Sequence, residues 1–285
     1  MKPTGAPSRP VRVRRVRNGE VRRERDAVAT EEPLEVRVAW IDPATGERRA
    51  EAVAVTMRTP GHDYELAAGF LSGEGVLARP EHLHEITYCR SGRGPQEYNV
   101  VEARLHPGVS FDLERVRRNV YTTSSCGVCG KASLDAVEAL GYPILDDDGW
   151  SMDPDLIPGL PDRLMAEQGV FQRTGGLHAA GLFDATGTLD VLREDVGRHN
   201  AVDKVVGRRV LDGRLPAPDR VLVVSGRASF ELVQKAVAAG IPMLVAVGAP
   251  SSLAVDLAER FGLTLVGFAR DGGFNVYSGA ARLGL

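Results

Sequence analysis

Two cysteines in one short loop are the residues of this sequence best suited to chemistry. Cys126 and Cys129 lie two residues apart in a small, polar stretch that runs from Thr122 to Lys131. A thiol becomes a nucleophile when it loses its proton, and a helix N-terminus or a nearby cation lowers its pKa. The amphipathic run from Ala132 to Leu140 predicts a helix just after the pair, and Lys131 supplies a cation. The sequence therefore predicts reactive thiols in this loop.

A Cys-x-x-Cys pair has other interpretations. A structural zinc site needs four ligands, usually from a second close pair, whereas the remaining Cys89 stands alone. A thioredoxin-type centre requires a buried strand before the pair, and the preceding residues do not have that pattern. A zinc deaminase requires Pro-Cys-x-x-Cys and His-x-Glu, but Ser125 replaces the proline and no His-x-Glu occurs. Zinc binding remains the alternative, and we expect no structural metal.

Composition limits the class of protein. With 285 residues, of which 43% are hydrophobic and 26% charged, the chain is expected to fold as a globular protein of two domains. A net charge of −3 argues against a general nucleic-acid binder. No apolar run approaches the roughly 18 residues of a membrane helix, and no secretory signal is recognisable. We expect a cytoplasmic protein without nucleic-acid or membrane partners, whose reducing compartment keeps Cys126 and Cys129 as thiols.

The first half predicts a small domain behind a charged arm. Residues 1–27 form an Arg-rich N-terminal arm, either a charged edge strand or a frayed segment, and the absence of interleaved aromatic residues argues against an RNA role. Residues 28–121 predict a small α+β domain that leads into the Cys-x-x-Cys loop at 122–131. Its elements are strands Leu34 to Ile41, Ala52 to Met57, Ile86 to Arg90 and Tyr98 to Leu105, and a helix Tyr64 to Ser72.

The second half predicts an α/β domain. Residues 132–161 read as a helix followed by an acidic, Pro-rich linker, and strands alternate with helices over 162–285. The β-branched runs Val221 to Ser225, Ile241 to Val247 and Thr264 to Phe268 predict buried strands of a largely parallel sheet. Ligands of such sheets bind beyond the carboxyl ends of the strands.

Glycine and arginine follow these strands. Three strand ends carry a glycine beside an arginine or a small polar residue: Ser225-Gly226-Arg227, Gly248-Ala249-Pro250-Ser251 and Arg270-Asp271-Gly272-Gly273. Glycine lets the backbone approach a ligand, and the arginine fork matches phosphate oxygens. The pattern therefore predicts an anionic, nucleotide-like ligand. On spacing alone, Asp195 is a helix cap with a salt-bridged Arg198 beside His199, and His178 is a hydrogen-bonded core histidine.

Several longer motifs resemble one known family in the same order along nearly the whole chain, with only the Arg-rich start loosely matched. They are Glu32-Pro33-Leu34, Met57-Arg58-Thr59-Pro60-Gly61, Gly69-Phe70-Leu71-Ser72-Gly73-Glu74-Gly75, Cys126-Gly127-Val128-Cys129-Gly130, Asp195-Val196-Gly197-Arg198-His199-Asn200-Ala201-Val202-Asp203-Lys204, Ser225-Gly226-Arg227 and Phe274-Asn275-Val276-Tyr277. The chain resembles the formate dehydrogenase accessory sulfurtransferases, the FdhD family.

The resemblance implies a sulfurtransferase. Such a protein accepts sulfane sulfur from a cysteine desulfurase as a persulfide and transfers it to the bis(molybdopterin guanine dinucleotide) molybdenum cofactor for formate dehydrogenase. The persulfide-bearing residue maps onto Cys126, with Cys129 as its helper. The cofactor contact maps onto Phe268, Ala269, Arg270, Asp271, Gly272 and Gly273. The alternative is a non-enzymatic chaperone that only binds the molybdenum cofactor.

The resemblance also implies a fold and an assembly. The fold class is α/β (α+β overall), with a smaller N-terminal α+β region and a larger α/β/α domain similar to cytidine deaminases. That domain has a mixed, largely parallel sheet and spans 162–285, where it binds the cofactor. The family's assembly implies a homodimer.

Overall fold

The computed structural model describes residues 5–89, 98–109, 111–113, 116, 130–145 and 149–285. The predicted thiol pair, Cys126 and Cys129, lies outside these described residues. Among the described helices, none is long and apolar enough to cross a membrane.

The Arg-rich start of the chain forms a β-hairpin. Strand β1 (Ser8–Arg17) pairs antiparallel with β2 (Glu20–Ala29) along its full length. The connecting residues Asn18 and Gly19 both have positive φ, 50° and 83°, as a tight two-residue hairpin turn requires. Of the two interpretations of this arm, the strand matches the structure.

A four-stranded sheet follows. Its strands are β3 (Glu32–Ile41), β4 (Arg48–Arg58), β5 (Leu83–Tyr88) and β6 (Val100–Leu105), in the order β4-β3-β6-β5. Helix α1 (Asp63–Gly73) lies between β4 and β5 in the chain, and a 3-10 turn, Pro80–His82, precedes β5. Alternation along β3 buries Leu34, Val36 and Val38, so one face of the sheet contributes to the core. These strands and this helix agree with the sequence prediction.

A six-stranded sheet forms the second half, in the order β12-β11-β10-β9-β7-β8. Its strands are β7 (His178–Phe183), β8 (Leu189–Asp195), β9 (Val221–Val224), β10 (Met243–Ala246), β11 (Thr264–Arg270) and β12 (Gly273–Ser278). The accompanying helices are α2 (Gly130–Glu138), α3 (Leu160–Ala166), α4 (Gly169–Thr174), α5 (Arg198–Leu211), α6 (Phe230–Ala238) and α7 (Ser252–Arg260), with 3-10 turns Pro154–Gly159 and Ala280–Leu283. In the stretch predicted as a linker, Ile157 is fully buried.

The second sheet is mixed, but the expectation that it is largely parallel is wrong. Only β9 with β10 and β10 with β11 pair in parallel. The other pairings, β7 with β8, β7 with β9 and β11 with β12, are antiparallel. For β7 with β8 and for β11 with β12, the reason is a short connection, 184–188 or 271–272, because a parallel pair needs a crossover of a dozen or more residues. Both hairpins add a strand, β8 or β12, that the sequence pattern does not predict.

The two sheets share one hydrophobic core. Leu34 of β3, Leu66 of α1, Val205 of α5 and Leu222 of β9 belong to the same buried cluster. A second cluster on the other face of the large sheet contains α3, the 3-10 turn before it, and inward residues of β7, β9 and β10. The chain is therefore layered as small sheet, helices, large sheet and helices.

Helices α1 and α5 cross in direct backbone contact. A Cβ atom on Gly207 would lie 1.7 Å from the carbonyl oxygen of Glu65, and one on Gly69 would lie 1.9 Å from that of Asp203. No rotamer change relieves a clash with backbone. These two glycines therefore set the separation of the two helices and, through them, of the two sheets.

A single methyl group at this crossing tests that constraint. We expect Gly207→Ala to lower the free energy of unfolding by about 3 kcal/mol or more, because the backbones must separate. The control is Gly159→Ala, where no atom lies within 4 Å of the added Cβ. Urea denaturation of both variants measures the difference, and equal stabilities would contradict the close crossing.

Candidate functional site

The carboxyl ends of the three parallel strands meet at one edge of the large sheet. The amide of Gly248, after β10, donates to the carbonyl of Gly226, after β9, at 3.0 Å. The amide of Phe268, in β11, donates to the carbonyl of Gly248 at 3.2 Å. Ala228 and Pro250 form an additional bridge. The structure therefore brings together the three glycine-bearing segments, which we call the strand-end edge: 225–228, 248–251 and 267–273.

The residues predicted to bind the cofactor, Phe268 to Gly273, form the hairpin between β11 and β12. Arg270 pairs with Gly273, and Asp271 and Gly272 make the turn with φ of 53° and 77°. Ala269 is fully buried, whereas the Arg270 side chain is 59% exposed and lies 3.8 Å from the Asp271 carboxylate. The hairpin therefore presents the Arg270 guanidinium, in a long ion pair with its neighbour Asp271, to solvent at the strand-end edge.

Phe268 has an unusual backbone conformation. Its φ is 54°, which costs an aromatic residue on the order of 1–3 kcal/mol. The β11–β12 ladder has a bulge between Gly267 and Arg270. Within this bulge the next residue, Ala269, is fully buried, and its burial holds the backbone of Phe268 in place. The residue is 37% exposed, and the Arg270 guanidinium lies 5.9 Å from the centroid of its ring. Strain of this kind concentrates at functional sites, so Phe268 is a candidate to stack against a planar ligand.

Close packing at this edge explains why residue 248 is a glycine. A Cβ atom on Gly248 would lie 2.9 Å from Cγ of Arg227 and 3.2 Å from its Cα. The backbone of the β10 end therefore passes directly against the residue that follows β9. Only glycine permits this approach without displacing Arg227.

A buried ion pair lies next to the N-terminus of α5. The Lys204 ammonium is 2.6 Å from the Asp195 carboxylate, and both side chains are almost fully buried. Asp195 also accepts hydrogen bonds from the amides of Thr59 (3.1 Å) and Gly197 (2.9 Å) and from Asn200 Nδ2 (3.0 Å). Lys204 in turn donates to the Thr59 carbonyl at 2.8 Å. The network joins the first half of the chain to the large sheet.

Asp195 does not form the ion pair predicted from spacing. Its cation is Lys204, on the buried face of α5, and not Arg198. Arg198 has no ion pair in the described part of the chain, and its Nε is buried without a hydrogen-bond partner. Sequence reasoning missed Thr59 and Lys204. A signal was available for Lys204, since it lies beside the valines of the predicted helix Ala201 to Val210, and a lysine on the buried face of a helix is rarely buried unless it is paired.

His178 is not the hydrogen-bonded core histidine predicted from the sequence. It begins β7, is half-buried, and its ring lies 3.6 Å from the position of a Cβ on Gly226. Neither ring nitrogen has a hydrogen-bond partner among the described residues. Burial, and then the charges of Arg198 and His199, lower the pKa of His178. An imidazole whose nitrogens have no partner within the described residues therefore lies against the strand-end edge, near Arg198.

His199 lies on the other side of the α5 N-terminus. Its Nε2 is 3.2 Å from Ser229 Oγ and 3.7 Å from the Glu231 carboxylate. The contact with His199 lowers the pKa of Glu231 to about 2. Both side chains line a cavity of about 290 Å³ between β4, α1, α5 and α6. The start of α5 therefore offers polar groups to two separate surfaces.

These observations define a class of protein. It is a mixed α/β protein whose parallel strands end at a polar, positively charged edge. A family model described as the FdhD/NarQ family matches residues 29–284, so the N-terminal hairpin precedes nearly all of the matched region. The Sulfur carrier protein FdhD of Streptomyces coelicolor is 55% identical over 277 residues, which cover 96% of this chain and 95% of that protein. The Sulfur carrier protein FdhD of Mycobacterium tuberculosis is 48% identical over 277 residues, which cover 95% of this chain and 97% of that protein.

A solved structure agrees with these relatives. It is the crystal structure of a protein from Desulfotalea psychrophila described as a formate dehydrogenase accessory protein. It superimposes with a TM-score of 0.73 at 26% identity and covers 98% of this chain and 100% of its own. The chain belongs to the FdhD/NarQ family.

The ion pair between Asp195 and Lys204 generates a prediction about stability. Replacing Lys204 with methionine leaves the carboxylate buried without its cation, so we expect a loss of about 3–5 kcal/mol in the free energy of unfolding. Asp195→Asn alone should also destabilise the protein. The double variant Asp195→Asn/Lys204→Met should cost clearly less than the sum of the two, as urea denaturation will measure. Additive effects would show that the two groups do not interact.

Proposed function

We propose that this protein is a sulfurtransferase that carries sulfane sulfur on Cys126 and delivers it to the bis(molybdopterin guanine dinucleotide) molybdenum cofactor used by formate dehydrogenase. Membership of the FdhD/NarQ family and the sulfur carrier relatives support the sulfur chemistry. The exposed arginine and aromatic ring at the strand-end edge are the observation that supports binding of an anionic dinucleotide. A cysteine desulfurase is the proposed donor, and the protein acts in the cytoplasm as a homodimer.

The first transfer is a thiol exchange. The Cys126 thiolate attacks the terminal sulfur of the donor's persulfide, a new S–S bond forms on Cys126, and the donor cysteine leaves as a thiolate. In the second transfer, the Cys129 thiolate attacks Sγ of Cys126. The persulfide bond breaks, the terminal sulfur leaves as sulfide toward the molybdenum, and a Cys126–Cys129 disulfide remains. A thiol reductant must reduce this disulfide before the next cycle.

The described residues fit the proposed substrate chemically. The cofactor carries phosphates and guanine bases, for which a guanidinium fork and an aromatic ring are suitable partners. Arg270 and Phe268 provide both on one hairpin. The buried Nε of Arg198 and the ring nitrogens of His178, which have no hydrogen-bond partner in the described part of the chain, lie near the same edge. With Arg227, they extend the proposed binding surface beyond 268–273, whereas His199 lines the separate cavity between β4, α1, α5 and α6. The family resemblance relates this domain to cytidine deaminases.

A chaperone that binds the cofactor without carrying sulfur is the second candidate. The same strand-end edge favours it, since binding of an anionic dinucleotide does not require a persulfide. The two candidates differ only in the chemistry of Cys126.

Mass spectrometry of the intact chain tests the persulfide. After incubation with a cysteine desulfurase and cysteine, we expect the protein to gain the mass of one sulfur atom, and Cys126→Ala to gain none. Cys89→Ala is the control and should react normally, because burial raises the pKa of Cys89 and disfavours its thiolate. Sulfur on Cys126→Ala would assign the carrier role to another cysteine, and stoichiometric zinc on the purified chain would favour the metal alternative.

Binding of guanosine diphosphate tests the strand-end edge. We expect Arg270→Ala to weaken its affinity by about tenfold, because a charge-assisted hydrogen bond to phosphate is lost. The control Asp271→Asn removes the neighbouring exposed carboxylate and should bind at least as tightly as the wild type. Isothermal titration calorimetry measures both, and unchanged binding by Arg270→Ala would contradict the proposed role of this hairpin. If Cys126→Ala binds the nucleotide normally and no persulfide ever forms on the wild type, the chaperone is the better description.

A further inference from the structure

The β1–β2 hairpin separates its charges onto two faces. In the ladder, Arg12 stands opposite Arg25, and Arg14 stands opposite Arg23. Since side chains alternate along a strand, these four arginines share one face, which we call the arginine face. On the other face, Arg15 forms ion pairs with the carboxylates of Glu24 (3.1 Å) and Asp26 (3.5 Å). The acidic residues of the hairpin therefore neutralise only one of its faces.

The arginine face has no compensating charge in the described structure. Its four arginines are all exposed, and within the described ranges none makes an ion pair. Like charges placed directly opposite each other destabilise a two-stranded ladder. The hairpin therefore carries an electrostatic cost that an anionic partner would remove. The same face continues to an apolar pair, Val16 opposite Val21, whose side chains are 64% and 63% exposed.

We propose that the arginine face docks an acidic, extended segment of a partner protein. Alternate residues of a strand are about 7 Å apart, which is also the spacing of alternate carboxylates along an extended peptide. Each guanidinium can then hold a carboxylate through two hydrogen bonds. The exposed pair Val16 and Val21 fits a partner with an apolar residue beside its acidic ones. A nucleic acid would lack such a group, and the face has no aromatic residue on which bases could stack.

The base of the hairpin lies close to the strand-end edge. The amide of Thr30 donates to the carbonyl of Pro7 at 2.9 Å, which closes the hairpin. Cβ of Ala29 is 3.7 Å from the position of a Cβ on Gly176, just before β7 begins at His178. His178 is the residue whose ring lies against Gly226. A partner held on the hairpin is thereby kept near the edge that binds the proposed cargo, although the docking itself does not depend on sulfur transfer.

Two variants with equal charge test this surface. Arg12→Gln/Arg14→Gln removes two arginines from the arginine face, and the control Arg9→Gln/Arg17→Gln removes two from the opposite face of the same strand. The probe is a fluorescent peptide with glutamates at two alternate positions and a valine at the next alternate position, so that all three side chains face the hairpin when the peptide is extended. A glutamine-for-glutamate peptide is its uncharged match. Fluorescence anisotropy with the full chain should show binding of the acidic peptide that Arg12→Gln/Arg14→Gln weakens by about tenfold and the control by much less.

Other outcomes would overturn the proposal. Equal weakening by the two variants would mean that net charge, and not the arginine face, attracts the peptide. Tighter binding to a single-stranded RNA or to phosphatidylserine vesicles than to the acidic peptide would assign the face to those partners. A wild-type dimer that becomes monomeric only in Arg12→Gln/Arg14→Gln would identify the occupant as a second copy of this chain. Circular dichroism of both variants confirms that the hairpin change leaves the fold intact.

Discussion

The buried ion pair between Asp195 and Lys204 is the interaction on which the arrangement of this protein depends. Two charges removed from water are stable only where hydrogen bonds satisfy their remaining atoms, and Thr59 supplies them from the other half of the chain. Thr59 follows β4 of the small sheet, whereas Asp195 ends β8 of the large one. The pair therefore fixes the two sheets relative to each other and sets where α5 begins. That position in turn determines where Arg198 and His199 emerge.

The helix crossing and the strand-end edge form a rigid support around this pair. Gly69 and Gly207 hold α1 against α5 at backbone distance, so α5 cannot shift without separating the helices. At the edge, backbone hydrogen bonds through Gly248 join the ends of β9 and β11. Phe268 and Arg270, which are exposed at this edge, project from fixed backbone. In the proposed function, the protein therefore presents a preorganised surface to the cofactor that receives the sulfur.

The sequence predicted those elements whose pattern is local. The β-branched run at Val221 and the amphipathic run that became α6 have a clear periodicity, because each buries a continuous face. Strands β8 and β12 were missed since most of their residues are only half-buried and their alternation is weak. The glycines after the parallel strands could be identified from the sequence as candidate binding residues, because ligands of such sheets bind beyond the carboxyl ends of the strands. The partner of Asp195 could not, since it depends on Thr59, which lies far away in the chain.

Net charge shows why whole-chain composition gives an incomplete account of this protein. The value of −3 argues against a general nucleic-acid binder, yet it averages two regions of opposite sign. The hairpin Ser8–Ala29 has eight arginines and three acidic residues, which leaves 27 basic and 35 acidic residues for the rest of the chain. A separation of this kind orients an approaching charged partner before contact, because the field of the basic region extends roughly one Debye length, about 8–10 Å, into solution. The face that a partner meets is thus decided by strand alternation: Glu24 and Asp26 neutralise one side of the hairpin, and Arg12 and Arg14 on the other side retain their charge.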